Sequence, residues 1–282
     1  MAGIRLRHVG IGLVVIAAAA AATLVFTMST WNRATAAKVE ELRAAGRARP
    51  DAYSPALVEG LPAPVARYFK RALRNRQRFI TWAVVTQDAE FLVNDAWRPL
   101  RATQHFSAVP PGFVWDARIE MALLMPAHVR DAYVAGHGSM QATMFGAYSL
   151  VDQSALPQLD SGALQRYLGE AAWFPTVLLP GEGVTWQAVD DRSALATLTD
   201  GSTSVSLTFR FDDQDRIIET SGDRYFEKDG GYQLRPWRVV CSDHVEHEGI
   251  MIPQYCEVAW MGDRGPEPYW RGRLASIVYS FD

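Results

Sequence analysis

The stretch from Leu159 to Pro180 carries the one long helix signal in a domain that otherwise reads as strands. Its apolar residues recur at helical spacing and form one stripe: Leu164, Leu168, Ala171 and Ala172. We expect Asp160 or Ser161 to cap the helix, and Pro175 to end it, because the residue before a proline avoids helical dihedrals. Strand-like sequence lies on both sides, so we predict that this helix packs on a sheet built from both halves.

Alternation with a period of two characterises the chain before and after that helix. In residues 112–121 one side is apolar: Phe113, Trp115, Ala117, Ile119 and Met121. The other side carries Asp116, Arg118 and Glu120, which favours an antiparallel meander with one charged face. These carboxylates also allow an acid–base site, although a solvated outer face explains them equally well.

The most informative hairpin covers residues 236–260. If its turn centres on Glu248-Gly249, four matched pairs share one face: Trp237 with Trp260, Val239 with Val258, Cys241 with Cys256, and Val245 with Ile252. Such cross-strand pairs stabilise a sheet, and we predict this register. A four-residue loop would keep the same pairing. Opposed cysteines lie within disulfide range, so we predict a Cys241–Cys256 bond, with two buried free thiols as the alternative.

The N-terminus carries a targeting signal. Arg5 and Arg7 precede an uncharged run of twenty residues, 9–28, which matches a bilayer core of roughly 30 Å. A cleaved signal peptide is the alternative, since Ala34-Thr35-Ala36 resembles a cleavage site. The run exceeds the usual signal core of about 7–15 residues, so we predict an uncleaved transmembrane helix.

The orientation of that helix is a separate question. More basic residues follow the span (Arg33, Lys38, Arg43 and Arg47) than precede it, which by count favours a cytoplasmic domain. A short basic region before a first span is nevertheless the usual export signal, and a disulfide fits an oxidising compartment. We therefore predict a single-pass protein of the cytoplasmic membrane with its domain in the periplasm or extracellular space.

Three segments follow from these signals. Residues 1–32 form the basic region and anchor, residues 33–60 a polar helical stalk and linker that ends near Pro50 to Pro55, and residues 61–282 the β domain. The 282 residues are 49% hydrophobic and 21% charged, which is enough apolar sequence for a sizeable core. A net charge of −3 gives no basic face for nucleic acid, so we predict no nucleic-acid partner.

Catalytic and metal-binding signals are weak. His244 and His247 invite a metal interpretation, but on a strand they point to opposite faces and cannot share an ion without a bulge. The sequence holds no G-x-S-x-G motif and no phosphate-binding glycine loop. We predict no catalytic residue, no metal and no cofactor.

Tryptophan is abundant, and several tryptophans fall at inward-facing strand positions. The inward apolar surface exceeds what one short helix can cover, so we predict a cavity, the ordinary form of a ligand site. The residues expected to line it are Trp115, Leu168, Trp173, Phe174, Trp237 and Trp260, with Trp173 and Phe174 at its mouth.

Several phrases of the sequence resemble an uncharacterised bacterial domain family of unknown function: PPGFVWDARIEM, VRDAYVAGHGSM, RYLGEAAWFPTVLLP, ATLTDG and PYWRGRL. The order of helix, meander, helix and meander also resembles lipoprotein carriers of the LolA/LolB type. That resemblance implies a mainly β, curved antiparallel half-barrel whose apolar face, under lid helices, holds acyl chains. The permanent N-terminal anchor predicted here is a difference from a soluble carrier.

We therefore expect a membrane-anchored protein that binds an apolar or lipid-like ligand, such as a lipid or a lipoprotein acyl chain. A hydrolase acting on an envelope substrate is the first alternative, and it requires a carboxylate or histidine inside the cavity. A structural partner of a membrane complex is the second, and it requires an exposed apolar patch.

Overall fold

The computed structural model describes residues 2–48, 52–123, 125–181 and 183–281. Three α-helices occur among them: α1 (Ala2–Ala45), α2 (Ala63–Ala72) and α3 (Pro157–Glu170). Short 3₁₀ helices cover Pro55–Val58, Ala171–Trp173 and Pro175–Leu178. The first six strands are β1 (Trp82–Val93), β2 (Ala96–Ser107), β3 (Gly112–Ala122), β4 (Met125–Val134), β5 (His137–Met144) and β6 (Tyr148–Ser154). The others are β7 (Val184–Asp190), β8 (Ser193–Asp200), β9 (Thr203–Phe211), β10 (Ile217–Lys228), β11 (Gly231–His247), β12 (Ile250–Gly262) and β13 (Gly265–Ser280).

All thirteen strands form one curved antiparallel sheet that does not close into a barrel. The strand order is β6-β5-β4-β3-β2-β1-β13-β12-β11-β10-β9-β8-β7. Two meanders are thus joined side by side, because β1 pairs with the C-terminal strand β13 from Trp82 opposite Ser280 to Phe91 opposite Trp270. The predicted fold class, an antiparallel half-barrel with lid helices, is confirmed.

Helix α3 crosses the concave face and contacts strands of both meanders, β3 to β5 on one side and β9 and β10 on the other. Its predicted apolar stripe is buried. The predicted cap is wrong: the helix begins at Pro157, before Asp160, and no side chain caps it. Asp160 instead accepts a hydrogen bond from the Gly138 backbone N–H at 2.7 Å, so it ties the helix to β5.

The helix also ends earlier than predicted. It ends at Glu170, and two 3₁₀ segments carry the chain through Pro175 to Leu178. These segments are buried, and Thr176 Oγ1 accepts a hydrogen bond from the Ile80 N–H at 3.0 Å. Together with α2 they fill one end of the half-barrel.

The hairpin of β11 and β12 has the predicted register, with all four matched pairs opposed. The turn is a two-residue one, Glu248-Gly249, and both residues have positive φ, at 49° and 83°. Glycine adopts that conformation without steric cost, and a two-residue turn of this hand matches the twist of the strands. The Sγ atoms of Cys241 and Cys256 lie at bonding distance, 2.00 Å, with their Cα atoms 4.1 Å apart.

Helix α1 continues without a break from the apolar N-terminal segment through residue 45, and it includes a stretch long and apolar enough to cross a membrane. The part predicted as a polar helical stalk lies against the convex face of the sheet. Leu42 and Val39 pack there on an outer cluster formed by Trp82, Val114, Ala132 and Val134. The stalk was expected to end near Pro50 to Pro55. The helix ends at Ala45, residues 49–51 are outside the described residues, and the next helical turn begins at Pro55.

Candidate ligand-binding cavity

A cavity of about 500 Å³ lies between α3 and the concave face of the sheet. Its wall is mainly aromatic and aliphatic because strands of both meanders turn their apolar side inward. The apolar side chains that line it are Phe91, Trp115, Ile119, Val129, Met140, Ala172, Trp173, Phe226, Trp237, Val239, Val258, Trp260, Tyr269 and Trp270, with Gly169 and the two cysteines. A volume of roughly 300–1,000 Å³ is typical of small-molecule sites.

Four of the six expected lining residues border this cavity: Trp115, Trp173, Trp237 and Trp260. Leu168 and Phe174 do not. Phe174 is 1% exposed and packs on Phe106, with ring centroids 4.3 Å apart, and Leu168 is equally buried in the core. Leu168 lies within α3 and packs in the core cluster, whereas the 3₁₀ turn after α3 directs the Phe174 ring into the filled end of the barrel.

The two ends of the half-barrel differ. At one end an aromatic plug fills the space between sheet and helices, and it consists of Phe106, Phe113, Tyr167 and Phe174. Trp173, expected at the mouth, is 4% exposed and follows α3 into this end. At the other end, which we call the open end, lie Leu123 after β3 and the turns at residues 94–95, 145–147, 229–230 and 263–264. The cavity-lining Phe91, Phe226 and Trp260 come from strand segments next to those turns.

A charged cluster lies inside the cavity at the level of α3. Arg166 Nη1 donates to Asp131 Oδ2 at 2.7 Å, and Arg166 Nε donates to Glu170 Oε1 at 2.9 Å. The Gln104 amide donates to the second oxygen of Glu170, also at 2.7 Å. The guanidinium stacks over Trp115, 4.8 Å from the ring centroid. Burial raises the pKa of Glu170, and Arg166 opposes that rise.

Arg224 is the other charged residue of the wall, and it lies beside the tryptophans. Its guanidinium lies 5.1 Å from the Trp237 ring and donates to the Gly162 carbonyl at 3.1 Å. Directly opposite, on β11, stands Arg235, whose guanidinium is paired with Glu267 at 2.5 Å. No carboxylate within the described ranges forms an ion pair with Arg224. Opposed like charges destabilise a strand pair, and Glu267 offsets this repulsion from the side of Arg235 only.

Sequence reasoning missed these charged lining residues. Arg166 and Glu170 stand four residues apart on the predicted helix, which was a usable signal for an ion pair. Asp131 comes from a distant strand, so its approach to Arg166 depends on the packing of α3. Arg224 and Arg235 flank the Asp229-Gly230 turn symmetrically, and a hairpin register would have shown them to be opposed.

The other candidate chemistries lie elsewhere. His244 Nε2 is 2.8 Å from the Ile217 carbonyl oxygen, and burial lowers its pKa. The part of the chain that the structure describes holds no group of three His, Cys, Asp or Glu side chains suited to a metal ion. Asp116 lies on the convex face as predicted but is covered by α1, where Trp31 Nε1 donates to its Oδ1 at 3.1 Å. Arg118 and Glu120 form an exposed ion pair on that face.

The fold and site define a class: an antiparallel half-barrel, lidded by helices, with an apolar cavity that carries a few charged groups. The chain belongs to DUF6920, a family of unknown function whose model matches residues 59–279. The predicted membership in a family of unknown function is thereby confirmed. No curated protein matches the sequence.

Three solved structures resemble this chain, each with a TM-score below 0.5. A DUF1329 family protein from Desulfovibrio piger is 10% identical, with a TM-score of 0.41, over 78% of this chain and 93% of its own. A LolA superfamily protein from Nitrosomonas europaea is 12% identical, with a TM-score of 0.38, over 77% and 93%. A β-barrel-like DUF1849 protein from Brucella abortus is 9% identical, with a TM-score of 0.25, over 72% and 99%.

Proposed function

We propose that this protein, anchored in a membrane by α1, binds an apolar or lipid-like ligand in the half-barrel cavity. The observation that carries the proposal is the cavity itself: about 500 Å³ with a mainly aromatic and aliphatic wall. Burying ten methylenes there would gain about 8 kcal/mol at ~0.8 kcal/mol each. Micromolar affinity requires about 8 kcal/mol, and ordering costs reduce the gain, so long chains bind and short ones bind poorly.

The charged wall residues point to an amphiphile rather than a hydrocarbon. Of the two cations in the cavity wall, Arg166 is paired with carboxylates and Arg224 is not, and the planar guanidinium of Arg224 suits a carboxylate or phosphate. The carboxylates of the wall, Asp131 and Glu170, are already paired with Arg166. An anionic ligand therefore places its charge at Arg224 and its chain among the tryptophans.

Two measurements test the proposal. Mass spectrometry of organic extracts from the full chain, purified in mild detergent, should recover a long-chain anionic lipid. A fluorescent long-chain carboxylate should then bind at micromolar concentration and a short-chain analogue should not. The proposal fails if the extract holds no lipid beyond the detergent-micelle background and the long-chain probe does not bind.

A matched pair of variants locates the site. Val258 on β12 lines the cavity, whereas Val278 on the neighbouring strand β13 is exposed. Val258→Asp introduces a charge into the apolar wall and should weaken binding at least tenfold, while Val278→Asp should leave binding unchanged. Trp260→Ala, at a partly exposed lining position, serves as a milder variant if Val258→Asp does not fold.

A hydrolase is the second candidate, because Asp131 and Glu170 place carboxylates inside the cavity and burial raises the pKa of Glu170. An acid–base role needs a free oxygen, and both oxygens of Glu170 accept hydrogen bonds. The carrier-like proposal is therefore preferred. Release of fatty acid from an ester substrate, abolished by Glu170→Gln, would reverse that ranking.

The location outside the cytoplasmic membrane is part of the same proposal. It is supported by the short basic region before the apolar run and by the opposed cysteines, since a disulfide persists in an oxidising compartment.

A further inference from the structure

We propose that the open end of the half-barrel rests on the same membrane that α1 enters, so that the cavity takes up its ligand directly from that bilayer. This inference rests on the anchoring part of the proposed function. Its evidence is independent of the cavity's chemistry. It comes from how α1 packs on the convex face and from the side chains that are exposed where α1 leaves the domain.

The C-terminal part of α1 and the two residues after it are fixed to the sheet along residues 27–47. Thr27 Oγ1 donates to the Phe145 carbonyl at 2.7 Å, in the turn between β5 and β6. Farther along, Arg130 Nη1 donates to Thr35 Oγ1 at 2.8 Å. Leu42 is buried against the outer cluster, and the Arg47 N–H donates to the Val109 carbonyl at 2.8 Å. Contacts spread over this length hold the domain at a set angle to the helix.

The docking point coincides with the end of the apolar run. That run covers residues 9–28, and twenty helical residues at 1.5 Å each span roughly the 30 Å of a bilayer core. Thr27, which contacts Phe145, is therefore at the membrane surface when the helix spans the bilayer. The β5–β6 turn must lie there with it.

Apolar side chains are exposed at this corner of the sheet. Leu123 is 90% exposed and Tyr148 70% exposed, with Met125 and Leu150 about half exposed beside them. The register places them together, because Ala127 on β4 pairs with Met144 on β5, so the turn at Leu123 adjoins the turn at Phe145. We call these four residues the apolar rim.

The other turns of the open end are polar: Asn94 and Asp95, Asp229 and Gly230, Asp263 and Arg264. A smaller exposed apolar pair, Tyr225 and Leu234, stands opposed on the β10–β11 hairpin near the Asp229-Gly230 turn. The four residues of the apolar rim form the larger exposed apolar group at the open end, and it is the one that adjoins α1. An exposed apolar patch marks an interaction site, and its continuity with the apolar helix identifies a lipid surface as the partner.

The cavity has its unplugged end on this side. Phe91, Phe226 and Trp260 line it from strand segments beside the open-end turns, whereas the aromatic plug fills the opposite end. A ligand leaving the bilayer next to α1 would meet the apolar rim first and the cavity second. On this route the ligand does not have to cross a polar part of the protein surface.

Site-directed spin labelling of the full chain in phosphatidylcholine vesicles with a minor share of phosphatidylglycerol tests the orientation. Nitroxides are attached to Leu123→Cys and Tyr148→Cys, with Gln214→Cys in the turn at the far end of β10 as the matched water-exposed control. Val15→Cys in α1 reports anchoring. The disulfide-bonded pair leaves the introduced thiol as the one to react within the described residues.

The expected result is an oxygen-to-nickel-complex accessibility ratio several-fold higher at residues 123 and 148 than at residue 214. Equal, water-like ratios at residues 123, 148 and 214 overturn the inference. If residue 15 is membrane-embedded in that case, anchoring stands and the orientation alone is wrong. If residue 15 is also water-exposed, anchoring and this inference both fail. No ligand is added, so a failure of ligand binding leaves the result unaffected.

Discussion

Replacing Arg166 by methionine should destabilise the half-barrel strongly. The side chain is 16% exposed and holds two carboxylates that are 19% and 15% exposed, Asp131 and Glu170. Methionine keeps much of the apolar stem but leaves both carboxylates without their cation. Breaking a buried ion pair by removing one partner costs about 3–5 kcal/mol.

That cost corresponds to a fall in Tm of roughly 6–20 °C for a domain of this size, at 2–4 °C per kcal/mol. The measurement is guanidinium unfolding of the full chain in mild detergent, followed by tryptophan fluorescence, together with the Tm. Arg192→Met is the matched control, because Arg192 pairs with Asp213 on an exposed surface. Exposed pairs contribute about 0–1 kcal/mol.

The effect should depend on pH. The pKa of Glu170 is raised by burial, against the pull of Arg166. A carboxyl whose pKa is higher in the folded state binds more protons when folded, so stability is lost as the pH rises through that pKa. Without Arg166 the pKa of Glu170 rises further. The variant should therefore be penalised more at about pH 8 than at about pH 5.

Adding Glu170→Gln to Arg166→Met removes one of the two buried carboxylates that lost their cation, and it should recover part of the stability. The effects of substitutions within one ion-pair network on the free energy of unfolding are not additive. The double variant should therefore be more stable than the sum of the two single effects implies. A loss no larger than that of Arg192→Met, or one that is independent of pH, would refute the reasoning, since the carboxylates would then be solvated in the folded state.

Three further predictions concern other parts of the molecule. Non-reducing peptide mapping should recover Cys241 and Cys256 in joined peptides; quantitative alkylation of both thiols without reductant would contradict the bond. A C-terminal alkaline phosphatase fusion should be active in a bacterial host, whereas activity of a cytoplasmic reporter there would reverse the orientation. Leu42→Ala should cost about 2–5 kcal/mol, as for other buried leucines. The exposed Leu57→Ala is its control, and equal effects would mean that α1 does not stabilise the sheet.

The sequence alone determined the features that depend on local periodicity. Alternation with a period of two gave antiparallel strands, and the matched pairs around Glu248-Gly249 gave the register of β11 and β12 correctly. The helical stripe of α3 and the apolar N-terminal helix were equally readable. In each case the interacting residues lie within a few helical turns or within one hairpin. Their spacing in the sequence therefore determines which side chains come into contact.

Tertiary structure decided the rest. The pairing of β1 with β13 joins residues some two hundred positions apart, and no local pattern specifies it. The predicted cap at Asp160 was wrong because the helix begins at Pro157, and the Asp160 carboxylate accepts a hydrogen bond from the Gly138 N–H of a neighbouring strand instead. Arg166 reaches Asp131, and Trp31 reaches Asp116, because whole elements pack there. Burial and charge pairing depend on that three-dimensional arrangement, whereas a one-dimensional pattern records only which face each side chain occupies.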